Sequence, residues 1–238
     1  MNLPTYTERD SGHRVELFDV PGGWRETHVA LPGVSLAMFV PADPDQVLDA
    51  HVESHALAAP QTDREPPDPY WATLWSAATP TATAVLQSDW KPGAKVLELG
   101  CGAGLAGVAA LTCGHQVTFS DICPEAVQVA RANAARNGFP DAAALVLDWY
   151  HPPELTFDVL LASDVLYHRD SHDCLLQAIE QMLAPDGICW IGDPGRVNAR
   201  EFFHSAGKTF EVHLYDRDGQ EFWVPQVGEY QRFTLRRR

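Results

Sequence analysis

Basic residues are scarce in this chain. Only 17 Lys and Arg stand against 32 Asp and Glu among 238 residues, a formal net charge of −15. Nucleic-acid binders need a basic face, because neutralising phosphate dominates their affinity. The one basic cluster is Arg236-Arg237-Arg238, so an RNA or DNA partner is disfavoured. An acidic surface suits a cationic partner instead, such as a lysine-bearing protein or an amine. Long apolar runs are missing too. None approaches the roughly 18 residues of a membrane span, so no membrane partner is expected. The stretch from Met1 to Asp10 has neither a charged n-region nor an apolar h-region, which disfavours a signal peptide. Cysteine occurs at 101, 113, 123, 174 and 189, with no C-x-x-C pair. This disfavours zinc sites and disulfide frameworks, leaves no expected metal ligands, and fits a reducing cytoplasm.

What is present is a core-forming composition, 45% hydrophobic, at a length that suits one domain with an extension. The organising stretch is Lys95-Val-Leu-Glu-Leu-Gly-Cys-Gly-Ala-Gly-Leu-Ala-Gly107. A short apolar run ends in an acid, breaks into closely spaced glycines, and passes into an alanine-rich apolar stretch. This reads as strand, tight turn and helix. Glycines at such a junction let a ligand approach the main chain. The next strand, Gln116 to Asp121, ends in an acid about 20 residues beyond the glycines, the spacing that grips a ribose. An ordinary strand-to-helix turn would explain the glycines alone. Glycines and acid together point to a nucleoside-bearing cofactor.

Gly102-x-Gly104-x-x-Gly107 also fits the dinucleotide fingerprint, so a NAD-dependent oxidoreductase is an alternative. Glu98 argues against it. A carboxylate there repels a pyrophosphate but accepts hydrogen bonds from an ammonium group or ribose hydroxyls. Nothing downstream reads as a second mononucleotide-binding half.

Along the chain, the residues up to about 58 read as a small β-rich extension. Arg14–Val20 alternates polar and apolar, and Glu26–Leu31 and Ser35–Val40 read as strands joined through Pro32-Gly33. Asp43-Pro-Asp-Gln46 opens a helix to about Leu57, with Asp43 as cap. Ala59–Pro69 is a proline-rich linker, placing a domain boundary near residue 65. Trp71 and Trp75, four residues apart, would share one helical face, one in the core and the other against a flat or cationic ligand. A helix follows to about Ser88, with Pro80 starting or kinking it. Strands at Ala143–Leu147, Phe157–Ser163 and Ile188–Ile191 alternate with helices at Pro124–Asn137, Ser171–Leu183 and Val197–Ala206. Ala184-Pro-Asp-Gly187 stops the second of these helices. Three late strands are expected at Phe210–Tyr215, Glu221–Val224 and Tyr230–Leu235. Successive βα units imply an α/β fold, a mostly parallel, doubly wound sheet, with ligands at the carboxyl ends of its strands. Asp121, Asp148 and Asp164 all fall there. One strand-end acid reads as a cap, but three of them together with Glu98 read as a site.

Four stretches carry a family resemblance: Glu98-Leu-Gly-Cys-Gly-Ala-Gly104, Asp68-Pro-Tyr-Trp-Ala72 with Trp75, Ser163-Asp-Val-Leu-Tyr167, and Ile191-Gly-Asp-Pro-Gly-Arg196. The first resembles motif I of the seven-stranded S-adenosylmethionine (SAM) methyltransferases. Together they resemble the family 16 lysine methyltransferases, and most of all the branch acting on the β-subunit of electron transfer flavoprotein. The resemblance covers about residues 66 to 215, so that 66–238 reads as the methyltransferase domain. The sequence departs from that branch in the Ser-Ala-Ala after Trp75, where a proline and glycines are usual. The resemblance implies SAM as cofactor, a Rossmann-like seven-stranded sheet with its last strand antiparallel, and methylation of a lysine-bearing protein. That partner would be the flavoprotein β-subunit or a ribosomal protein. It implies Glu98, Gly100, Cys101 and Gly102 against the methionyl part of SAM, Asp121 on the ribose and Ile122 against the adenine. Asp148 and Trp149 fall at the adenine edge, and Trp75 and Ser163 line the cofactor. Asp164 and Tyr167 match the acid-x-x-aromatic motif beside the transferred methyl. Two other functions stay open: an N-methyltransferase for a small amine, of the nicotinamide type, and an inactive SAM-binding protein.

Overall fold

The structure is a computed structural model that describes residues 17–56 and 68–238. The hairpin expected around Pro32-Gly33 is present: β1 (Trp24–Leu31) pairs antiparallel with β2 (Val34–Pro41). Asp43 then starts α1 (Pro44–Ala56). Its Oδ1 accepts the Gln46 N–H at 3.2 Å, and Gln46 Nε2 donates to its Oδ2 at 2.7 Å. The strand expected at Arg14–Val20 does not form over residues 17–20, and its first three residues lie outside the described part. The apolar residues there pack rather than pair. The Phe18 ring meets Trp24 edge-on at 5.3 Å, and the Phe18 carbonyl accepts the Trp24 indole N–H at 2.6 Å.

Trp71 and Trp75 do not share a helical face. Tyr70–Ala72 is a single 3₁₀ turn, and Thr73 leaves it in an extended conformation. Trp71 is buried against Phe18 and Trp24, while Trp75 stays 39% exposed. The next helix, α2 (Ala78–Leu86), holds Pro80 in its first turn, where no N–H is needed, and ends two residues before Ser88.

Five strands and four helices then build the sheet: β3 (Lys95–Leu99), α3 (Leu105–Thr112), β4 (Gln116–Asp121), α4 (Pro124–Arg136), β5 (Ala143–Val146), β6 (Phe157–Ser163), α5 (His172–Met182), β7 (Leu183–Asp193) and α6 (Ala199–Ala206). Three strands follow: β8 (Phe210–Tyr215), β9 (Glu221–Phe222) and β10 (Gln231–Arg237). The order is β5-β4-β3-β6-β7-β10-β8-β9. Strands β5 to β7 are mutually parallel, and β10 is antiparallel to both of its neighbours. Seven strands carry the fold, and β9 adds a two-residue edge. Strand β7 begins earlier than Ile188. Leu183 pairs with Phe157 and Ile188 with Val159, so Ala184–Gly187 bulge out between two paired positions of one strand.

Strand alternation puts core on both faces. Val96, Val117, Phe119 and Trp190 face α2, α3 and α4, while Leu97, Leu99, Leu160 and Phe233 face α5 and α6. Glu98 falls on the first of these faces, in phase with Val96. The hairpin joins that side through Asn133 of α4. Its Oδ1 accepts the Phe39 N–H at 2.6 Å, and its Nδ2 donates to the carbonyls of Phe39 and Ala103 at 3.1 and 2.8 Å.

Candidate functional site

The site is assembled where β3, β4, β6 and β7 end. Gly100, Gly102 and Gly104 all take left-handed backbone angles, at φ of 63°, 50° and 80°, which L side chains rarely adopt. The turn is closed by the Cys101 N–H on the Ser120 carbonyl at 2.8 Å and the Gly104 N–H on the Cys101 carbonyl at 2.7 Å. Space for a ligand opens at Gly102, where a Cβ would meet only the Trp71 backbone at 3.7 Å.

Asp121 lies beside this turn. Its Oδ2 accepts the Gly102 N–H and its Oδ1 the Cys123 N–H, both at 3.0 Å. Burial raises its carboxyl, against the pull of those N–H groups. The next residue, Ile122, is exposed. Glu98 lies deeper, 2% exposed beneath α3, where its Oε2 accepts the Gly107 N–H at 3.1 Å. Burial pushes it up to about 8, the Gly107 N–H opposes that, and the charge of Asp121 adds to it. A carboxyl so placed ties the β3 end to the first turn of α3. Trp149 and Val165 converge on Gly100, so the β5 and β6 loops meet the glycine turn there. Asp148 turns its own loop, with Oδ1 accepting the Tyr150 N–H at 2.9 Å and Oδ2 3.2 Å from His151 Nδ1. Ser163 ends β6, its Oγ 3.4 Å from Thr81 Oγ1.

Asp164 has positive φ, 59°, unlike any other non-glycine residue described. Aspartate tolerates this region better than most residues, but the conformation is still strained. The side chain is buried. Its Oδ1 accepts Arg196 Nε at 2.8 Å and lies 2.7 Å from Arg196 Nη2, while Oδ2 has no partner. Burial raises this carboxyl, and Arg196 offsets only part of the rise. Three residues on, the Tyr167 ring meets Tyr70 edge-on at 5.3 Å and lies 4.7 Å from the His168 ring. Tyr70 in turn meets Trp75 at 5.9 Å, and the Arg196 guanidinium lies 5.8 Å from the Trp75 ring centre. Acid and aromatic rings thus form one patch.

A family model described as "Methyltransferase domain" matches residues 90–228, more than half the chain. The chain belongs to this methyltransferase family. The domain is 32% identical over 133 residues to the electron transfer flavoprotein beta subunit lysine methyltransferase of Danio rerio, covering 55% of this chain and 52% of that one. It is 31% identical over 115 residues to the histone-arginine methyltransferase METTL23 of Homo sapiens, covering 42% and 59%. The chain therefore spans a little over half the length of these two relatives. A TehB-like SAM-dependent methyltransferase from Corynebacterium glutamicum shares the fold at a TM-score of 0.58 and 22% identity, over 82% of this chain and 100% of that one.

The cofactor of this methyltransferase domain is SAM. The residues fit a cation carrying a nucleoside. The glycine turn gives backbone access at Gly102, Asp121 stands beside it, and the edge carries acids rather than phosphate-binding lysines. Of the residues singled out in the sequence, the structure groups Gly100, Cys101, Gly102 and Asp121 at one turn, with Trp149 against it. Asp164, Tyr167 and Trp75 fall into a second, adjoining group. Glu98 serves the α3 side of the turn. Sequence reasoning missed Arg196 as the partner of Asp164, and missed Asp193, whose Oδ1 accepts the N–H groups of Gly195 and Arg196 at 2.8 and 2.9 Å. An aspartate followed by Pro-Gly is a turn signature, and this one delivers Arg196.

Proposed function

We propose that this chain is a SAM-dependent N-methyltransferase that modifies lysine side chains of a protein, within the branch acting on the electron transfer flavoprotein β-subunit. The observation that carries the reading is the second oxygen of Asp164, buried without a partner, on a carboxylate whose Arg196 partner lies 5.8 Å from the Trp75 ring centre at the end of the Trp75–Tyr70–Tyr167 chain of rings. An ammonium group satisfies that oxygen and also favours aromatic faces. The relatives named for lysine and arginine methylation support a protein nitrogen as acceptor, and the net charge of −15 favours a cationic one. Residues 66–238 would carry the activity, with the preceding residues as an extension. The five free thiols suit a cytoplasmic enzyme.

In this mechanism SAM supplies an electrophilic sulfonium methyl. Gly100, Cys101 and Gly102 would hold its methionyl part, and Asp121 would accept from the ribose hydroxyls. Ile122, Asp148 and Trp149 would frame the adenine, and Trp75 and Ser163 would line the cofactor. Asp164 receives the lysine ammonium and Tyr167 offers its ring face. A lysine is protonated at neutral pH, with an ordinary pKa of about 10.4, so its proton must pass to water first. Desolvation next to a second cation favours that loss. With the proton gone, Asp164 and Tyr167 would aim the amine lone pair at the methyl that bound SAM would donate. Alignment and exclusion of water supply most of the catalysis.

The test is tritiated SAM in a lysate of cells lacking this protein, supplemented with the purified chain and read by gel and mass spectrometry. Labelled protein carrying methyllysine is the expected result. Label confined to small molecules would replace the protein acceptor with a small amine, and methylarginine would replace lysine.

A further inference from the structure

The Gly192-Asp193-Pro194-Gly195-Arg196 stretch is built to hold the acid-x-x-aromatic segment. Asp193 is fully buried, and its Oδ1 takes three donors, the N–H groups of Gly195 and Arg196 and the Gln231 amide at 3.0 Å. These bonds fix the turn after β7. The turn rests on the backbone ahead of β10, where the Gly228 N–H donates to the Gly195 carbonyl at 2.9 Å. A side chain at Gly195 would collide with the backbone of residues 228 and 229. From this support Arg196 reaches across to Asp164 Oδ1 with both Nε and Nη2. Two residues on, the Asn198 side chain donates to the Tyr167 carbonyl at 3.0 Å. The segment Asp164–Tyr167 is thus gripped at both ends by the segment after β7.

Arg196 does not saturate Asp164. Both of its nitrogens use the same oxygen, and Oδ2 stays without a donor. Burial alone favours the protonated form of a carboxyl here, which has no charge to attract an ammonium group. A fixed guanidinium counters that, because it stays charged at all working pH values. We propose that Arg196 is a positioning residue for the acceptor amine, anchoring Asp164 by one oxygen as an oriented carboxylate and leaving the other for the incoming ammonium. The proposal rests on the reading of Asp164 as the acceptor-binding acid. Charged and titratable groups facing Asp164 come from three places: Arg196 after β7, Asp193 at the end of β7, and Tyr167 on its own loop. Only Arg196 is cationic, so its removal should be felt directly at Asp164.

The experiment follows the Asp164 carboxyl itself, by NMR of the full chain labelled with ¹³C at the aspartate carboxyl, assigned through Asp164→Asn. Arg196→Met should raise the Asp164 midpoint by at least one pH unit. Arg196→Lys, which keeps the charge but loses the fork, should restore most of that shift. Calorimetric affinity for SAM should stay within threefold in both. If Arg196→Met does not fold, Arg196→Gln, which keeps a donor without charge, serves for the same comparison. An Asp164 midpoint unmoved in the uncharged variant, with only the melting temperature lowered, would overturn the proposal. Failure of the lysine reading looks different: the midpoint shift would remain, while methyllysine would be missing from the lysate assay.

Discussion

Glu98 offers a direct physical test, because its burial sets a sign and a size. The carboxyl is 2% exposed and has been pushed from an ordinary 4.5 to about 8, with burial as the largest cause. Between those two values the folded chain holds a proton that the unfolded chain has released. Stability falls with rising pH wherever the folded state binds more protons, so the free protein should weaken as pH climbs from about 5 through about 8. At about 1.4 kcal/mol per pH unit, full ionisation costs up to about 5 kcal/mol. Between about pH 6 and pH 8 alone the loss is about 2 kcal/mol, or roughly 4–8 °C in melting temperature at this chain length. Glu98→Gln keeps the shape and an oxygen for the Gly107 N–H but carries no charge. Its advantage over the wild type should be smallest near pH 5 and grow steadily up to about pH 8. Asp121, Asp164 and Asp193 are also raised by burial and tilt both proteins the same way, so the difference between the curves isolates Glu98. Melting temperatures of ligand-free protein across pH 5 to 8.5 give the answer. Parallel curves would show that Glu98 ionises freely in the folded state and would refute the argument.

Three further outcomes follow from the same contacts. Asp121→Ala should weaken SAM binding by about 1.5–3 kcal/mol, more than tenfold, through lost charge-assisted hydrogen bonds; calorimetry checks this, and an unchanged affinity would leave Asp121 as a brace for the glycine turn only. Gly107→Ala would place a methyl inside van der Waals contact of Glu98 Oε2 and Phe119 Cε1, with an overpacking cost of about 1–3 kcal/mol. That outweighs most of the ~1 kcal/mol gained in helix propensity, so a clearly raised melting temperature would contradict the packing. Asn133→Ala removes three hydrogen bonds joining α4 to β2 and to Ala103 and should destabilise by about 2–3 kcal/mol, with hydrogen exchange rising first at Phe39.

The parts legible in the sequence were those written locally. The β3 run, its glycines and the acid at Asp121 lie within 27 residues, and each obeys a local rule: apolar alternation, backbone permission, strand-end polarity. Asp43 and Gln46 announced α1 in the same way. The tryptophan pair misleads because a spacing of four also suits a helix, whereas the chain makes one 3₁₀ turn and leaves it at Thr73. The Arg14–Val20 alternation failed for a related reason. A period of two shows that side chains point to opposite sides, but it does not supply a neighbouring strand, and Phe18 found Trp24 instead. Arg196 and Asp164 lie 32 residues apart and meet only because β6 and β7 run parallel in register, Ser163 beside Gly192. No local pattern encodes that meeting. It follows from sheet order together with the turn that Asp193 imposes, and both become visible only when the strands are laid side by side. The candidate acceptor site is therefore less legible than the cofactor turn. The turn is one continuous stretch of backbone, whereas the acceptor patch draws Tyr70, Trp75, Asp164, Tyr167 and Arg196 from three separate loops.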